Sequence, residues 1–413
     1  MNFKRILPDP ALLLLALVAT GTGLFFIFDA GYPRSLGMDR GALPPEFTSQ
    51  ICFLVPAILG FIACSRISPE KWMKISPVLW IVTLVLLALV PTKLGVEMNG
   101  AKRWLGVGKF AIQPAEFAKL TAVLYLAGVF AQRKPWPAQI SPRRDWAHWM
   151  DTILTTKLVR SVPGVLILGA AYLIDKEPDL GTAAILAATA FAMFVFGGVS
   201  KRSIAAAVLV AIGGSYALVK QEPYRLERIE NHVQRWQPDN VDDTSYQTVQ
   251  SEVAMAAGGL TGVGIGNGRA KQVIPATTTD FILSTVAEEF GLLGSLAVIG
   301  LVGGVVWRLL YMAAHAPSRF GSLALYGFGA WIGIQAAVNV MMANGFLPAI
   351  GIPLPFISSG GSSLIALWCG VGMCQSALSG PVPASDSAGG AKSASALQCA
   401  VVTPRYPRIG ARV

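Results

Sequence analysis

Asp280 is the carboxylate whose neighbours in the sequence point most directly to chemistry. Three threonines precede it, and Phe281 and Ile282 open a long apolar run. In a helix, Asp280, Ser284 and Glu288 would share one face, because they lie four residues apart. Poor solvation at the edge of an apolar segment raises the pKa of a carboxylate towards the range of a general base. The alternative is that Asp280 only caps the helix that follows it.

A second polar group lies between residues 100 and 120. Its members are Lys102, Arg103, Trp104, Gln113, Glu116 and Lys119. The last three recur at the spacing of one helical stripe, and the proline at 114 suits a first helical turn. A cation and a carboxylate one turn apart inside an apolar helix are costly unless they are paired or used. The stripe is therefore either a structural Glu116–Lys119 pair or part of a binding site.

Three further segments interrupt apolar runs. The sequence EPDLGTA at 177–183 opens one run, and there Asp179 is a candidate helix cap. The proline- and glycine-rich segment 339–363 is typical of irregular backbone that lines a cavity. The glycine-rich stretch 258–268 lacks the G-x-x-x-x-G-K-[ST] pattern, so we interpret it as a turn that allows close backbone approach.

The composition excludes several classes of protein. Of the 413 residues, 53% are hydrophobic and only 14% are charged, whereas soluble domains carry about 25% charged residues. An ordinary soluble enzyme, a disordered chain and a nucleic-acid-binding module are therefore excluded. The five cysteines lack the spacing of a zinc site. The net charge of +10 suits basic cytoplasmic loops in a membrane protein.

Hydropathy predicts an all-α, polytopic membrane protein with about ten transmembrane helices. The predicted spans are 10–28, 50–65, 75–92, 114–131, 160–174, 180–198, 203–219, 281–310, 321–345 and 361–379. Residues 1–379 are expected to form a single integral-membrane domain. Residues 380–413 have a Ser/Ala/Gly/Pro-rich composition, which predicts a disordered cytoplasmic tail. Spans 7 and 8 are joined by the long loop 220–280, which we expect to be ordered, functional and extracytoplasmic.

The distribution of Lys and Arg suggests an orientation with both termini in the cytoplasm. Lys4 and Arg5 precede the first span, and the predicted inner loop 132–160 contains six basic residues. The predicted outer loops 93–113 and 220–280 are also basic, against this tendency. Unless the spans are miscounted, these two loops bind an anion.

Taken in order along the chain, six motifs resemble those of one bacterial membrane-protein family. They are NGAKRW, QPAEFAKL, EPDLGTA, SYQTVQS, TDFI followed by AEEFG, and LPFISSGGSS. The sequence is similar to the SEDS family (shape, elongation, division and sporulation), which includes RodA- and FtsW-type proteins. The motifs extend from about 99 to 363, so the resemblance covers nearly the whole chain.

The resemblance implies a peptidoglycan glycosyltransferase that polymerises lipid II, the undecaprenyl-pyrophosphate disaccharide-pentapeptide, at the outer face of the bacterial cell membrane. It implies that Asp280 is the essential catalytic residue and that Lys102, Arg103 and Trp104 match the family's essential loop. Thr279 and Ser362, which lie in matching motifs, are then further candidates for substrate binding. The implied partner is a class B penicillin-binding protein, a transpeptidase, and no nucleic acid is involved.

Several expectations and alternatives accompany this interpretation. A divalent cation, Mg²⁺ or Mn²⁺, would help to neutralise the leaving pyrophosphate, and no organic cofactor is expected. The alternative function is a lipid II flippase, which would also place polar groups inside the spans. The chain departs from the family pattern at Ala276, Thr278, Glu177 and 349–350, which affects fine substrate contacts and leaves Asp280 in place.

Overall fold

A computed structural model describes residues 9–37, 43–98, 100–107, 110–132, 162–198, 213, 223–237, 240 and 245–378. Within these ranges the protein is a helical bundle with one small sheet. Six described helices are long and apolar enough to cross a membrane, and a shorter apolar helix covers Leu180–Phe196. Polytopic membrane architecture is therefore confirmed for this part of the chain, at a coarser level than the ten predicted spans.

The helices and strands of the described residues are numbered in chain order. They are α1 (Pro10–Gly37), α2 (Pro45–Ser65), α3 (Pro69–Leu89), β1 (Gly95–Met98), β2 (Ala101–Val107), β3 (Phe110–Ile112), α4 (Pro114–Ala131), α5 (162–176), α6 (Leu180–Phe196), α7 (Pro223–Val233), α8 (Tyr246–Gly258), α9 (Ala270–Val273), α10 (Ile282–Ala314), α11 (Arg319–Ala343) and α12 (Gly361–Ala377). The predicted span 203–219 and the predicted tail 380–413 lie outside the described residues, apart from the single residue 213.

The prediction of an all-α fold missed the sheet formed by β1, β2 and β3. The three strands are antiparallel in the order β1–β2–β3. The chain turns from β1 to β2 at Gly100, whose φ of 76° is favourable for glycine. These strands are only three to seven residues long, so their pattern is weaker than that of the flanking apolar helices. The sheet places Lys102, Arg103 and Trp104 on the central strand β2.

The long helix α10 is broken at Gly291, where φ is 66° and ψ is −163°. A helix break frees backbone groups that need partners when water is excluded. The glycine-rich stretch supplies them, because Val263 N and Gly264 N donate to the carbonyl oxygens of Glu288 and Glu289 at 2.9 and 3.1 Å. The interpretation of 258–268 as a turn allowing close backbone approach is therefore confirmed.

Glu288 and Glu289 hold the same stretch through their side chains. Glu288 accepts from the backbone N–H of Arg269 and Ala270, at the start of α9. Glu289 accepts an ion-pair contact of 2.6 Å from Lys271, whose ammonium also lies 2.9 Å from Asp29 of α1. This buried cluster joins α1, α9 and α10, and it fixes the chain nine residues before Asp280.

The core is formed by helix pairs that bring distant segments together. Helix α2 packs against α12, α10 against α11, and α4 against both α3 and α11. Fully buried aromatic side chains such as Trp80, Phe130 and Trp331 fill the space between them. The segments that precede α4, α6, α10 and α12 are joined by hydrogen bonds, and the candidate site lies where they meet.

Candidate active site

The backbone around Asp280 is held by three consecutive hydrogen bonds. The carbonyl oxygens of residues 278–280 accept, in order, from Ser359 N at 2.8 Å, Ser358 Oγ at 2.5 Å and Asn339 Nδ2 at 2.8 Å. Satisfied backbone groups restrict local motion, because breaking each bond in a buried site leaves an unpaired polar atom. The segment carrying Asp280 is therefore fixed against α11 and the irregular chain before α12.

The side chain of Asp280 does not cap α10. Phe281 occupies the N-cap position, and no side chain makes a capping hydrogen bond there. Asp280 also lies before the first residue of α10. The prediction that Asp280 shares one helical face with Ser284 and Glu288 is therefore wrong. The interpretation of Asp280 as only a helix cap is thus excluded.

Asp280 has the electrostatic environment of a general base. Burial and the negative charge of Asp179 raise the pKa of Asp280, Arg103 lowers it, and the net pKa is about 6. Gly351 lies over the carboxylate, since a Cβ atom added there would be 3.5 Å from Asp280 Oδ2. Such a carboxylate is ionised at neutral pH and still basic enough to accept a proton.

The turn 177–179 brings a second set of predicted residues to the same place. Asp179 caps α6 by accepting from Thr182 N at 3.1 Å, so its predicted capping role is confirmed. Its other carboxylate oxygen accepts from Gln113 Nε2 at 3.0 Å. The backbone N–H of Gln113 in turn donates to Ser362 Oγ at 2.9 Å. The starts of α4, α6 and α12 are therefore joined through three polar side chains.

Arg103 connects the sheet to this turn. Its Nε donates to the carbonyl oxygen of Glu177 at 3.1 Å, and its Nη2 donates to the carbonyl oxygen of Pro178. The side chain of Glu177 is 1% exposed. Burial and the negative charge of Asp179 raise the pKa of Glu177, Arg103 lowers it, and the net pKa is about 8. Arg103 is thus the cation that balances the carboxyl groups of this site.

The two neighbours of Arg103 on β2 have different environments. Lys102 is exposed and lies opposite Glu97 of β1 in the antiparallel register. Trp104 is half-buried and lies opposite Val96. The register shifts between Val96 and Glu97, so Arg103 lies between the paired residues Lys102 and Trp104 as the extra residue of a β-bulge. Lys102 remains available to solvent or to a ligand.

Glu116 and Lys119 form a buried pair deeper in the bundle. Lys119 Nζ lies 2.7 Å from Glu116 Oε1 and 2.9 Å from Gln335 Oε1 of α11. Trp331 Nε1 donates to the same oxygen of Gln335 at 2.7 Å. Both charged side chains are almost completely buried, with exposures of 4% and 1%. The structural pair considered for this stripe is present, and substrate binding by Glu116 and Lys119 stays a prediction.

Sequence reasoning did not select Asn339, Gln335 or Ser358 as site residues. The available signal was the occurrence of two amides one turn apart, at 335 and 339, within an apolar helix. Buried amides need hydrogen-bond partners, so such residues mark places where helices hold irregular backbone. Among the described residues, no group of three or more His, Cys, Asp or Glu side chains could hold a metal ion.

Comparison with known proteins places this architecture in context. Residues 10–379 match the model of the FtsW/RodA/SpoVE family of cell cycle proteins. The chain is 34% identical over 368 residues to the probable peptidoglycan glycosyltransferase FtsW of Nitrosococcus halophilus, covering 87% of this chain and 89% of that protein. It is 30% identical to the stage V sporulation protein E of Bacillus subtilis, covering 90% and 97%.

Solved structures with the same fold agree with the sequence matches. One belongs to a peptidoglycan synthase complex described as coordinating polymerization and crosslinking, with a TM-score of 0.69 and 26% identity over 89% of this chain and 96% of that chain. The rod shape determining protein RodA of Thermus thermophilus matches with a TM-score of 0.61 and 26% identity, over 89% and 95% of the two chains.

Proposed function

Because the chain belongs to the FtsW/RodA/SpoVE family of cell cycle proteins, we propose that it is a peptidoglycan glycosyltransferase that polymerises lipid II. The observation that carries the chemical part of this proposal is Asp280. Its backbone is fixed by three hydrogen bonds, and burial raises the pKa of its side chain to about 6. A fixed carboxylate of this basicity is suited to proton abstraction from a hydroxyl group.

In the proposed reaction, Asp280 accepts the proton of the acceptor's sugar 4-hydroxyl. The oxygen forms a bond with the anomeric carbon of the donor, and the bond between that carbon and the pyrophosphate oxygen breaks. The electron pair leaves with undecaprenyl pyrophosphate. The donor arrives already activated, so the reaction requires no nucleotide sugar. Positioning of donor and acceptor contributes to the rate in addition to the base itself.

The other predicted residues divide into two groups. Lys102 and Trp104, on the sheet, are proposed to contact the donor, with the exposed ammonium of Lys102 binding a phosphate. Arg103, Gln113 and Ser362 are each held by hydrogen bonds within the protein. A role of these three residues in substrate binding would add to this structural one. Thr279 lies beside the base and is proposed to border the acceptor site.

We also propose that a divalent cation takes part in the reaction, bound to the pyrophosphate of the substrate. No metal-holding group of acidic, histidine or cysteine side chains occurs among the described residues. A Mg²⁺ or Mn²⁺ ion bound to the pyrophosphate would neutralise charge on the leaving group. No organic cofactor is required for this chemistry.

The proposed setting is the bacterial cell membrane, with both termini in the cytoplasm and the site at the outer face. A class B penicillin-binding protein is the proposed partner. The support for this partner is the similarity to a chain of a peptidoglycan synthase complex that coordinates polymerization and crosslinking.

The decisive assay separates polymerisation from transport. The purified full chain is incubated with lipid II and Mg²⁺, and glycan strands are resolved on a gel; lipid II movement across vesicles is measured in parallel. We expect strands to form, with a strong increase when a class B transpeptidase is added. Movement of lipid II across vesicles without any polymer, with or without the partner, would instead establish a flippase.

A further inference from the structure

Helix α11 carries two fully buried amides that hold the irregular chain over the proposed base. Asn339 Nδ2 donates to the carbonyl oxygen of Asp280 at 2.8 Å and to that of Ile352 at 2.7 Å. One turn earlier, Gln335 Nε2 donates to the carbonyl oxygen of Pro353 at 2.9 Å. Two successive carbonyl groups of the segment before α12 are therefore fixed from a single helix face.

From these contacts we propose that Asn339 is a positioning residue for Asp280. A single amide group holds the backbone of the base on one side and the backbone beside Gly351 on the other. Because Gly351 lies over the Asp280 carboxylate, the two contacts set the spacing between the base and the chain that covers it. This inference rests on the proposed function and extends it to a residue that holds the backbone of the base.

The surroundings make this spacing rigid. Asn339 has no exposed surface, so water is not available to replace either contact. Gln335, which holds the neighbouring carbonyl group, is itself fixed by hydrogen bonds from Lys119 and Trp331. The buried Glu116–Lys119 pair of α4 thus supports the same segment through Gln335.

The acceptor oxygen of Asn339 distinguishes positioning from simple stabilisation. Within the described residues, Asn339 Oδ1 is buried without a hydrogen-bond partner. An unpaired buried acceptor is destabilising, so this amide gives less net stability than its two donor contacts suggest. Its replacement removes the donor from the carbonyl groups of Asp280 and Ile352, so a control variant with a similar loss of stability is needed to isolate the effect on the base.

The test uses two variants of similar size, Asn339→Leu and Asn339→Asp, both of which remove the donor group. The matched control is Gln375→Leu near the other end of α12, where a buried amide donates to Asp9 O at 2.7 Å and accepts from Asp9 N at 2.9 Å. Wild type and Asp280→Asn are assayed with lipid II beside them, so that a failure of the proposed function is recognised separately.

We expect Asn339→Leu to lower kcat by about 100-fold, the effect of a small misplacement of a catalytic group, with KM for lipid II little changed. Gln375→Leu should lose similar thermal stability and keep its kcat. If Asn339→Asp does not fold, Asn339→Leu alone decides the result. A kcat near that of wild type in a folded Asn339→Leu protein, while Asp280→Asn is inactive, would overturn the positioning role.

Discussion

Arg103 donates through Nε to the backbone carbonyl oxygen of Glu177 at 3.1 Å, across 74 positions of the sequence. This contact joins the central strand of the sheet to the turn before α6. It also places a positive charge near Asp280, where it lowers the pKa of that carboxylate against the effect of burial. Arg103 therefore has a structural and an electrostatic role before any substrate binds.

The electrostatic role predicts a shift in the pH–rate profile. In Arg103→Gln the lost positive charge raises the pKa of Asp280, so the decline in rate at acidic pH should begin at a higher pH than in wild type. Arg103→Lys retains the charge and should keep the wild-type midpoint, with a lower rate because the two-carbonyl contact is lost. Identical acid midpoints in Arg103→Gln and wild type would argue against this coupling.

Lys102 should behave differently because it is exposed, whereas Arg103 is held by the turn before α6. We expect Lys102→Gln to raise KM for lipid II while kcat and the acid midpoint stay close to wild type. The cause would be a lost charge-assisted contact to phosphate. Steady-state polymerisation at varied lipid II concentration checks this, and an unchanged KM would remove Lys102 from the substrate site.

The buried cluster of Lys271 with Asp29 and Glu289 predicts a loss of stability. Lys271→Met leaves two carboxylates without their cation, and such a change costs about 3–5 kcal/mol in buried pairs. Thermal unfolding in detergent measures this effect. The exposed Lys74 of α3 gives the control Lys74→Met, which should unfold near the wild-type temperature. Equal unfolding temperatures for both variants would show that the cluster contributes little.

Glu177 predicts a pH-dependent stability. Burial raises its pKa from 4.5 to about 8. Between these two pH values the unfolded chain is ionised at this position and the folded chain is not, so stability decreases as the pH rises through the interval. Glu177→Gln removes that decrease.

We therefore expect the Glu177→Gln protein to unfold at a higher temperature than wild type at pH 8, with the difference disappearing near pH 4. The exposed Glu70→Gln change serves as the control. A constant difference across the whole interval would mean that Glu177 is ionised in the folded protein at neutral pH.

Much of the helical framework follows from the sequence, because a long apolar run has few structures available to it. The span at 114–131 matches Pro114–Ala131 of α4, and Asp179 caps α6 as its sequence context indicates. The six motifs also include the segments that meet around Asp280, although the catalytic role of Asp280 stays a prediction. These features depend on local patterns, which a single sequence contains.

The remaining features depend on partners far apart in the chain. The sheet was missed because its strands are short and lack strong alternation. The engagement of Arg103 with the turn 177–179 and the hydrogen bond from Asn339 to Asp280 required knowledge of which loops meet. Such contacts arise from helix packing, and no local residue pattern contains them.

The most direct measurement is the polymerisation rate of Asp280→Asn over a range of pH, with wild type beside it. Wild type should lose activity as the pH falls through about 6, since the base is then protonated. Asp280→Asn preserves size but cannot accept the proton, and we expect its rate to fall by about 10²–10⁴-fold. Its thermal stability should be retained, because Asp280 does not cap α10. Wild-type rates of glycan synthesis from a folded Asp280→Asn protein would contradict the assignment of Asp280 as the base.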